Sequence, residues 1–278
     1  LHAHLMECAD PDRVLVSLQR FLEAAMGTQT HLALMATAPR YTLLLTTIFD
    51  QSHFLTDIVC RNPEYTLWIW EEVDLNDARP VESMLNELQA QLAAFPDFIT
   101  RCQSMRRFKR REILRIGVRE LYSHASMVSI TEDLSNLADA ALEAAVLSGM
   151  DDLRPRYGTP KADNGVSDAT FAIIAMGKLG GRELNFSSDI DLLFIYSSEG
   201  ETTGGSSGTL SNAEYFIKLG ERVIKAISEQ TAEGRVFRVD MRLRPYGRMG
   251  SLAVNIDACI DYYEHSGRAW ERQALIKA

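Results

Sequence analysis

Asp189 and Asp191 stand two residues apart where a long apolar run begins. Successive side chains on a β-strand point to opposite faces, so both carboxylates emerge on the same one. Two carboxylates that close repel each other unless a cation lies between them. A small hard cation, Mg2+, suits the pair: it takes oxygen ligands, usually one or two carboxylates together with substrate phosphates. The plainer reading, a calcium or turn-capping pair, is weaker. Leu192, Leu193, Phe194 and Ile195 embed the aspartates in a core strand, where unneeded charge is costly. A second alternating run, Arg235 to Leu243, carries another aspartate. Val239, Met241 and Leu243 fall on one face, and Arg238, Asp240, Arg242 and Arg244 on the other. The ordinary role for such an aspartate is a cross-strand ion pair. The sharper expectation is that Asp240 completes a three-carboxylate metal site with Asp189 and Asp191. Arg242 and Arg244 would then grip phosphate oxygens bidentately.

Upstream, the apolar run Phe171 to Ala175 reads as a buried strand that opens into Gly177-Lys178-Leu179-Gly180-Gly181. A glycine-rich turn after a strand can offer backbone N–H groups to a phosphate, and glycine lets the ligand come close. The spacing is neither that of a P-loop nor that of a dinucleotide-binding turn. Gly177, Lys178, Gly180, Gly181 and Ser188 are the candidate nucleotide or phosphate contacts. Lys178 and Ser188 read equally well as solvated turn residues. Three carboxylates and a phosphate cradle suit in-line displacement at phosphorus, with two Mg2+ ions stabilising the attacking and leaving oxygens. The protein's share is positioning and charge neutralisation. Asp240 is the candidate acceptor for the attacking group's proton.

The elements around these residues fall into two blocks. Before residue 166 the periodicity is helical. Amphipathic helices are expected over Pro11–Ala25, Leu32–Ala36, Tyr41–Phe49, Thr56–Cys60 and Tyr65–Trp70, with a break at Asn62-Pro63. Pro80 should open a helix to about Ala94, and a long helix should follow from Asp97 to Ser123. Its basic run, Arg106 to Glu112, reads as a solvated face or as one that meets an acidic partner or a phosphate. Thr131 is a candidate N-cap and Gly149 a candidate C-cap of the last helix. Trp68 and Trp70 read as core or interface anchors. His2, His4, His31, His53 and His124 lack metal-ligand spacing. Asp151–Ser167 reads as a linker. Strands then appear at Thr170–Met176, Asp189–Tyr196 and Arg235–Leu243. A mobile Gly/Ser tract is expected at Gly204–Gly208, and a capped helix from Ser211 to Gln230. Further helices should start at Asn255 or Asp257 and near Arg268. The expected fold is α+β: a helical region over residues 1–165, then a domain with a small mixed sheet over residues 166–278.

Bulk properties narrow the function. The 278 residues are 46% hydrophobic and 24% charged, ordinary for a globular chain, and carry a net charge of -9. Acidity argues against nucleic-acid binding. Cys8, Cys60, Cys102 and Cys259 are scattered, which suggests neither a zinc site nor a disulfide framework and fits a reducing cytoplasm. No apolar run is long enough to span a bilayer and no signal peptide is evident, so no membrane partner is expected. Both ends fall inside structured patterns, so a piece of a longer polypeptide is expected.

Gly177-Lys178 followed by Ser188-Asp189-Ile190-Asp191 resembles the signature of the nucleotidyltransferase superfamily typified by DNA polymerase beta. The whole run Gly177 to Leu192 is more narrowly similar to the glutamine synthetase adenylyltransferase family. Val239-Asp240-Met241-Arg242-Leu243-Arg244-Pro245 and Trp270 to Ala278 agree with it. The resemblance implies a polymerase-beta-like domain after the helical region, with Asp189, Asp191 and Asp240 as metal ligands and ATP, ADP and AMP as substrates or products. That family carries two such domains. One removes AMP from a tyrosine of glutamine synthetase by phosphorolysis with inorganic phosphate, releasing ADP; the other attaches AMP from ATP. Asn185-Phe186-Ser187-Ser188 and Met241 look like the N-terminal, adenylyl-removing copy. Regulation by a PII signal protein and by glutamine is implied as well. Without a second catalytic domain, weak or unregulated removal is expected. The alternatives are the adenylylating copy and a non-catalytic module that binds nucleotide or PII.

Overall fold

The computed structural model describes residues 1–163 and 165–278, and among these all side chains but those of Ala3 and Glu72. Helices α1 (His2–Leu5), α2 (Pro11–Ala24), α3 (Thr28–Thr37), α4 (Pro39–Gln51), α5 (His53–Arg61), α6 (Glu64–Glu72), α7 (Val81–Ala93), α8 (Phe98–Leu121) and α9 (Met127–Tyr157) come first. Then follow β1 (Phe171–Met176), α10 (Gly177–Gly180), β2 (Asp189–Tyr196), α11 (Asn212–Ser228), β3 (Arg238–Asp240), β4 (Ala253–Asn255), α12 (Ile256–Asp261) and α13 (Ala269–Ala274). The expected α+β order is present. No single helix among the described residues is long and apolar enough to cross a membrane.

The chain divides into two compact units. The first comprises Leu1–Ala78 and Arg110–Asp133. Here α2 starts at Asp10, whose carboxylate accepts the Arg13 N–H, and buries Val14, Leu18 and Phe21 along one stripe. His31 is a core histidine. Its ring meets Phe21 edge-on at 4.8 Å, and its Nδ1 lies 2.7 Å from the Tyr41 hydroxyl, which in turn lies 2.8 Å from Thr66. Arg111 stacks over the Trp68 ring at 4.2 Å, so this part of the basic run is not a solvated face. Further along α8, Arg115 and Arg119 are fully buried with Glu112 and Asp133. Asp133 accepts a bidentate pair from Arg115 at 2.6 and 2.8 Å and a third bond from Arg119, which also donates to the Leu75 and Asn76 carbonyls.

The second unit comprises Arg79–Lys109 and Leu134–Ala278. Arg106 is buried and donates to the exposed Glu229 at 3.1 Å, so this arginine is not on a solvated face either. Helix α9 corrects two expectations. It begins before Thr131, and it runs straight past Gly149 to Tyr157. Gly149 is glycine for packing. A Cβ there would stand 2.8 Å from Leu219 Cδ1 and 3.2 Å from Arg222 Cβ on α11. Gly149→Val is therefore expected to cost about 1–3 kcal/mol through overpacking, read as a lower urea midpoint. The expected linker is thus helical over its first residues. Beyond them, Pro160 bridges to Thr202 and Lys161 to Asp168, while Asn164 lies outside the described residues. Nor is the Gly204–Gly208 tract loose. Ser206 and Ser207 N–H donate to the Pro155 and Arg156 carbonyls, and a Cβ on Gly205 would meet the Arg156 carbonyl carbon at 2.6 Å.

The sheet is mixed, as expected. β1 runs antiparallel to β2, pairing Phe171 with Tyr196 and Met176 with Asp191. On the other edge of β2, β3 and then β4 pair in parallel. The expected third strand is shorter than its alternation suggested, because the chain turns away after Asp240. A fourth strand, β4, follows that excursion and has no counterpart in the sequence reading. Ile190, Leu192, Phe194 and Tyr196 are buried on one face of β2, against α11. There Phe216 stacks on Phe171 and Tyr196 at 5.7 and 5.2 Å. Ser211 and Glu214 close the expected capping box of α11. The opposite face packs Leu193 with Met176 and Cys259 of α12, and Asp189 and Asp191 lie on that side.

Candidate active site

β2 sets Asp189 and Asp191 on one face, and the parallel register brings β3 beside them. Asp191 pairs with Asp240, and Asp189 with Arg238. Two strands thus bring the three aspartates to one sheet end. Asp191 is half-buried. Burial pushes its carboxyl pKa up, and the like charges of Asp240 and then Asp189 push it further. Asp240 moves the other way. It accepts two bonds from Arg242 Nε at 3.0 and 2.7 Å and one from the Arg242 N–H at 2.8 Å, and these hold its pKa below the usual carboxylate range. Of the two shifted carboxyls, Asp191 keeps a proton more readily.

Arginines from β3 onward answer the acid charge. Arg238 pairs with Asp189 and donates to the Ser187 carbonyl at 2.8 Å. Its alternation with Asp240 is visible in the sequence, but the register that places it opposite Asp189 is not. Arg244 differs from Arg242. It donates to the Met241 carbonyl at 2.8 Å, to Gly250 at 3.2 Å and to Arg248 at 3.3 Å, so it ties together the excursion from Met241 to Leu252.

The glycine turn lies beside this end of β2. Gly177 has φ +59, and a Cβ there would stand 2.6 Å from Asp191 Oδ2. Only glycine lets the backbone lie against the carboxylate in that conformation. Gly180 faces another neighbour, the Lys277 carbonyl oxygen, which would lie 1.9 Å from its Cβ. Lys178 Nζ is 3.4 Å from Ser188 Oγ, and Ser188 donates to Asn185 Oδ1 at 2.6 Å. Arg182, which the sequence reading passed over, anchors the turn to α9 through Asp139 at 3.0 Å and through Asn136.

Hard oxygen donors at one sheet end, with the central one pushed towards neutrality by burial and then by its like-charged neighbours, fit a divalent cation such as Mg2+. As placed, no three carboxylate, thiol or imidazole groups among the described residues close into a ligand cluster; Asp189 and Asp240 engage arginines instead.

The glutamate-ammonia ligase adenylyltransferase family model matches residues 43–278. The chain belongs to that family. It is similar to the bifunctional glutamine synthetase adenylyltransferase/adenylyl-removing enzymes of Shewanella loihica and Thioalkalivibrio sulfidiphilus. The first is 40% identical over 240 residues, 86% of this chain and 25% of the relative. The second is 41% identical over 236 residues, 84% and 24%. The Nitrosococcus oceani relative is 47% identical over 174 residues, 63% of this chain and 18% of its own. The chain thus spans about a quarter of the length of the first two relatives. Membership of this nucleotidyltransferase family implies nucleotide substrates.

Proposed function

We propose that this chain is the adenylyl-removing part of such a bifunctional enzyme, with residues 166–278 as the nucleotidyltransferase domain and 1–165 as the helical region. The observation that carries the reading is the register of Asp191 opposite Asp240, with Asp189 beside them and Arg242 at the rim. The assignment to removal rather than attachment rests on Asn185-Phe186-Ser187-Ser188 and Met241. The protein substrate is adenylylated glutamine synthetase and the co-substrate inorganic phosphate. An oxygen of hydrogen phosphate forms a bond to the AMP phosphorus, the bond from phosphorus to the tyrosine oxygen breaks, and the phosphate's proton ends on the tyrosine. The products are ADP and free tyrosine.

Asp189, Asp191 and Asp240 would hold Mg2+, which when bound neutralises charge on the phosphoryl oxygens. Arg242 leaves Asp240 to hold an oxygen of the incoming phosphate, a task a planar guanidinium suits. Arg244 fixes the excursion that carries Arg242. Lys178, Ser188 and the Gly177 backbone line the phosphate side, while Gly180 packs on the Lys277 carbonyl and the Gly181 N–H donates to the Gly177 carbonyl. The same reading takes a PII signal protein and glutamine as regulators and the cytoplasm as the location.

The test is direct. Incubated with adenylylated glutamine synthetase, phosphate and Mg2+, the chain is expected to release ADP. Transfer of AMP from ATP to unmodified glutamine synthetase, without ADP release, would assign the chain to the opposite activity.

A further inference from the structure

A cavity of about 470 Å3 opens beside Arg242, the partner of Asp240. Its walls come from the excursion after β3, from the segment that follows α12 and from the start of α13. Tyr246, Tyr262 and Trp270 supply aromatic rings, Arg242 and Arg268 positive charge, and Glu271 a buried carboxylate. The volume lies within the range of small-molecule sites.

The rings are arranged unevenly. Tyr262 is buried, with its hydroxyl donating to Glu271 at 2.9 Å and its ring 4.5 Å from that of Tyr246. Tyr246 and Trp270, by contrast, are 63% and 51% exposed. Tyr246 also takes a left-handed backbone, φ 60 and ψ 12, which is costly for an aromatic residue. Such strain persists only where the surroundings impose it. Arg244 brackets the residue here, with bonds to Met241 before it and to Arg248 and Gly250 after it. Half-exposed aromatic faces beside guanidinium groups are the surface on which a nucleobase stacks, whatever its identity. Arg242 belongs to both places: it binds Asp240 and it lines this cavity. A ligand with phosphates at the aspartates and a flat ring in the cavity would pass along it.

We propose that this cavity is the base-binding subsite for the nucleoside diphosphate or its AMP precursor, with Trp270 and Tyr246 as the stacking residues. The inference rests on the nucleotidyl-transfer reading above and adds where the base sits. The 278-residue chain is titrated calorimetrically, with Mg2+ present, with two probes: ADP, which has a base, and inorganic pyrophosphate, which has none. Trp270→Ala and Tyr246→Ala are expected to weaken ADP binding roughly 5- to 150-fold, the span of one base–aromatic stack, and to leave pyrophosphate unchanged. Trp270→Phe should retain most of the ADP affinity. Asp191→Asn should weaken both probes. If both alanine variants bind ADP like the wild type while Asp191→Asn loses both probes, the base subsite is overturned and the nucleotidyl-transfer reading stands. Equal losses of ADP and pyrophosphate in the alanine variants also overturn the subsite, because the effect is then on folding. If the wild type binds neither probe, or Asp191→Asn changes neither, the underlying reading falls and the subsite with it.

Discussion

Asp191→Asn is expected to lower ADP release from adenylylated glutamine synthetase about 10²–10³-fold and to leave the fold intact. In the proposed reading Asp191 helps to hold Mg2+, and weakening that hold would forfeit part of the several kcal/mol by which the ion stabilises transition-state charge. Wild-type turnover in the variant would remove Asp191 from the site. Stability should move the opposite way from activity. The Asp191 pKa is raised, first by burial and then by the charges of Asp240 and Asp189. Folding therefore favours its protonated form. That contribution is fully present below the ordinary carboxylate pKa of about 4 and is lost as pH rises through the raised value. Asparagine is neutral at every pH and keeps it. The variant should thus melt at or above the wild-type temperature at pH 7, and the gap should close at acid pH. A melting temperature that falls at pH 7 would mean that the carboxylate is held by a favourable contact rather than crowded by its neighbours.

Asp133→Ala is expected to be the most destabilising single change in the first unit, at about 3–5 kcal/mol. Arg115 and Arg119 are 1% and 0% exposed, and both donate to this one carboxylate. Without it, two guanidinium groups stay buried with Glu112 as the remaining acid of the cluster. A urea titration followed by circular dichroism should show the unfolding free energy, the product of slope and midpoint, fall by that amount. A loss under 1 kcal/mol would mean that water reaches the arginines once the acid is gone.

The strand that carries the candidate site was legible in the sequence, where a strict period met a physical necessity. Alternation along Asp189–Tyr196 gives both the strand and the face of the two aspartates, because one face must bury Ile190, Leu192 and Phe194. The Ser211–Glu214 box marks a helix start because both of its partners are local. Long-range packing was not legible. Gly149 looks like a helix end when its neighbours on α11 are unknown. Alternation from Arg235 to Leu243 suggests a long strand, whereas the chain bends as the Arg242 N–H turns back to Asp240. β4 is too short for any period to announce it. The basic run on α8 is charged in composition yet partly buried, because its partners Trp68 and Glu229 are distant in sequence.

β3 and β4 follow one another along a single edge of β2, so the excursion between them leaves and returns to the same strand. Its two ends are fixed by sheet hydrogen bonds whatever lies between. Closing a flexible loop grows costlier only with the logarithm of its length, about 0.6 kcal/mol per doubling. Residues inserted at its tip, where Met249 is 93% exposed, should therefore leave the aspartates in register. The excursion is a place where added length would leave the three aspartates in register, while Arg242 and Tyr246, which it carries, would feel the change.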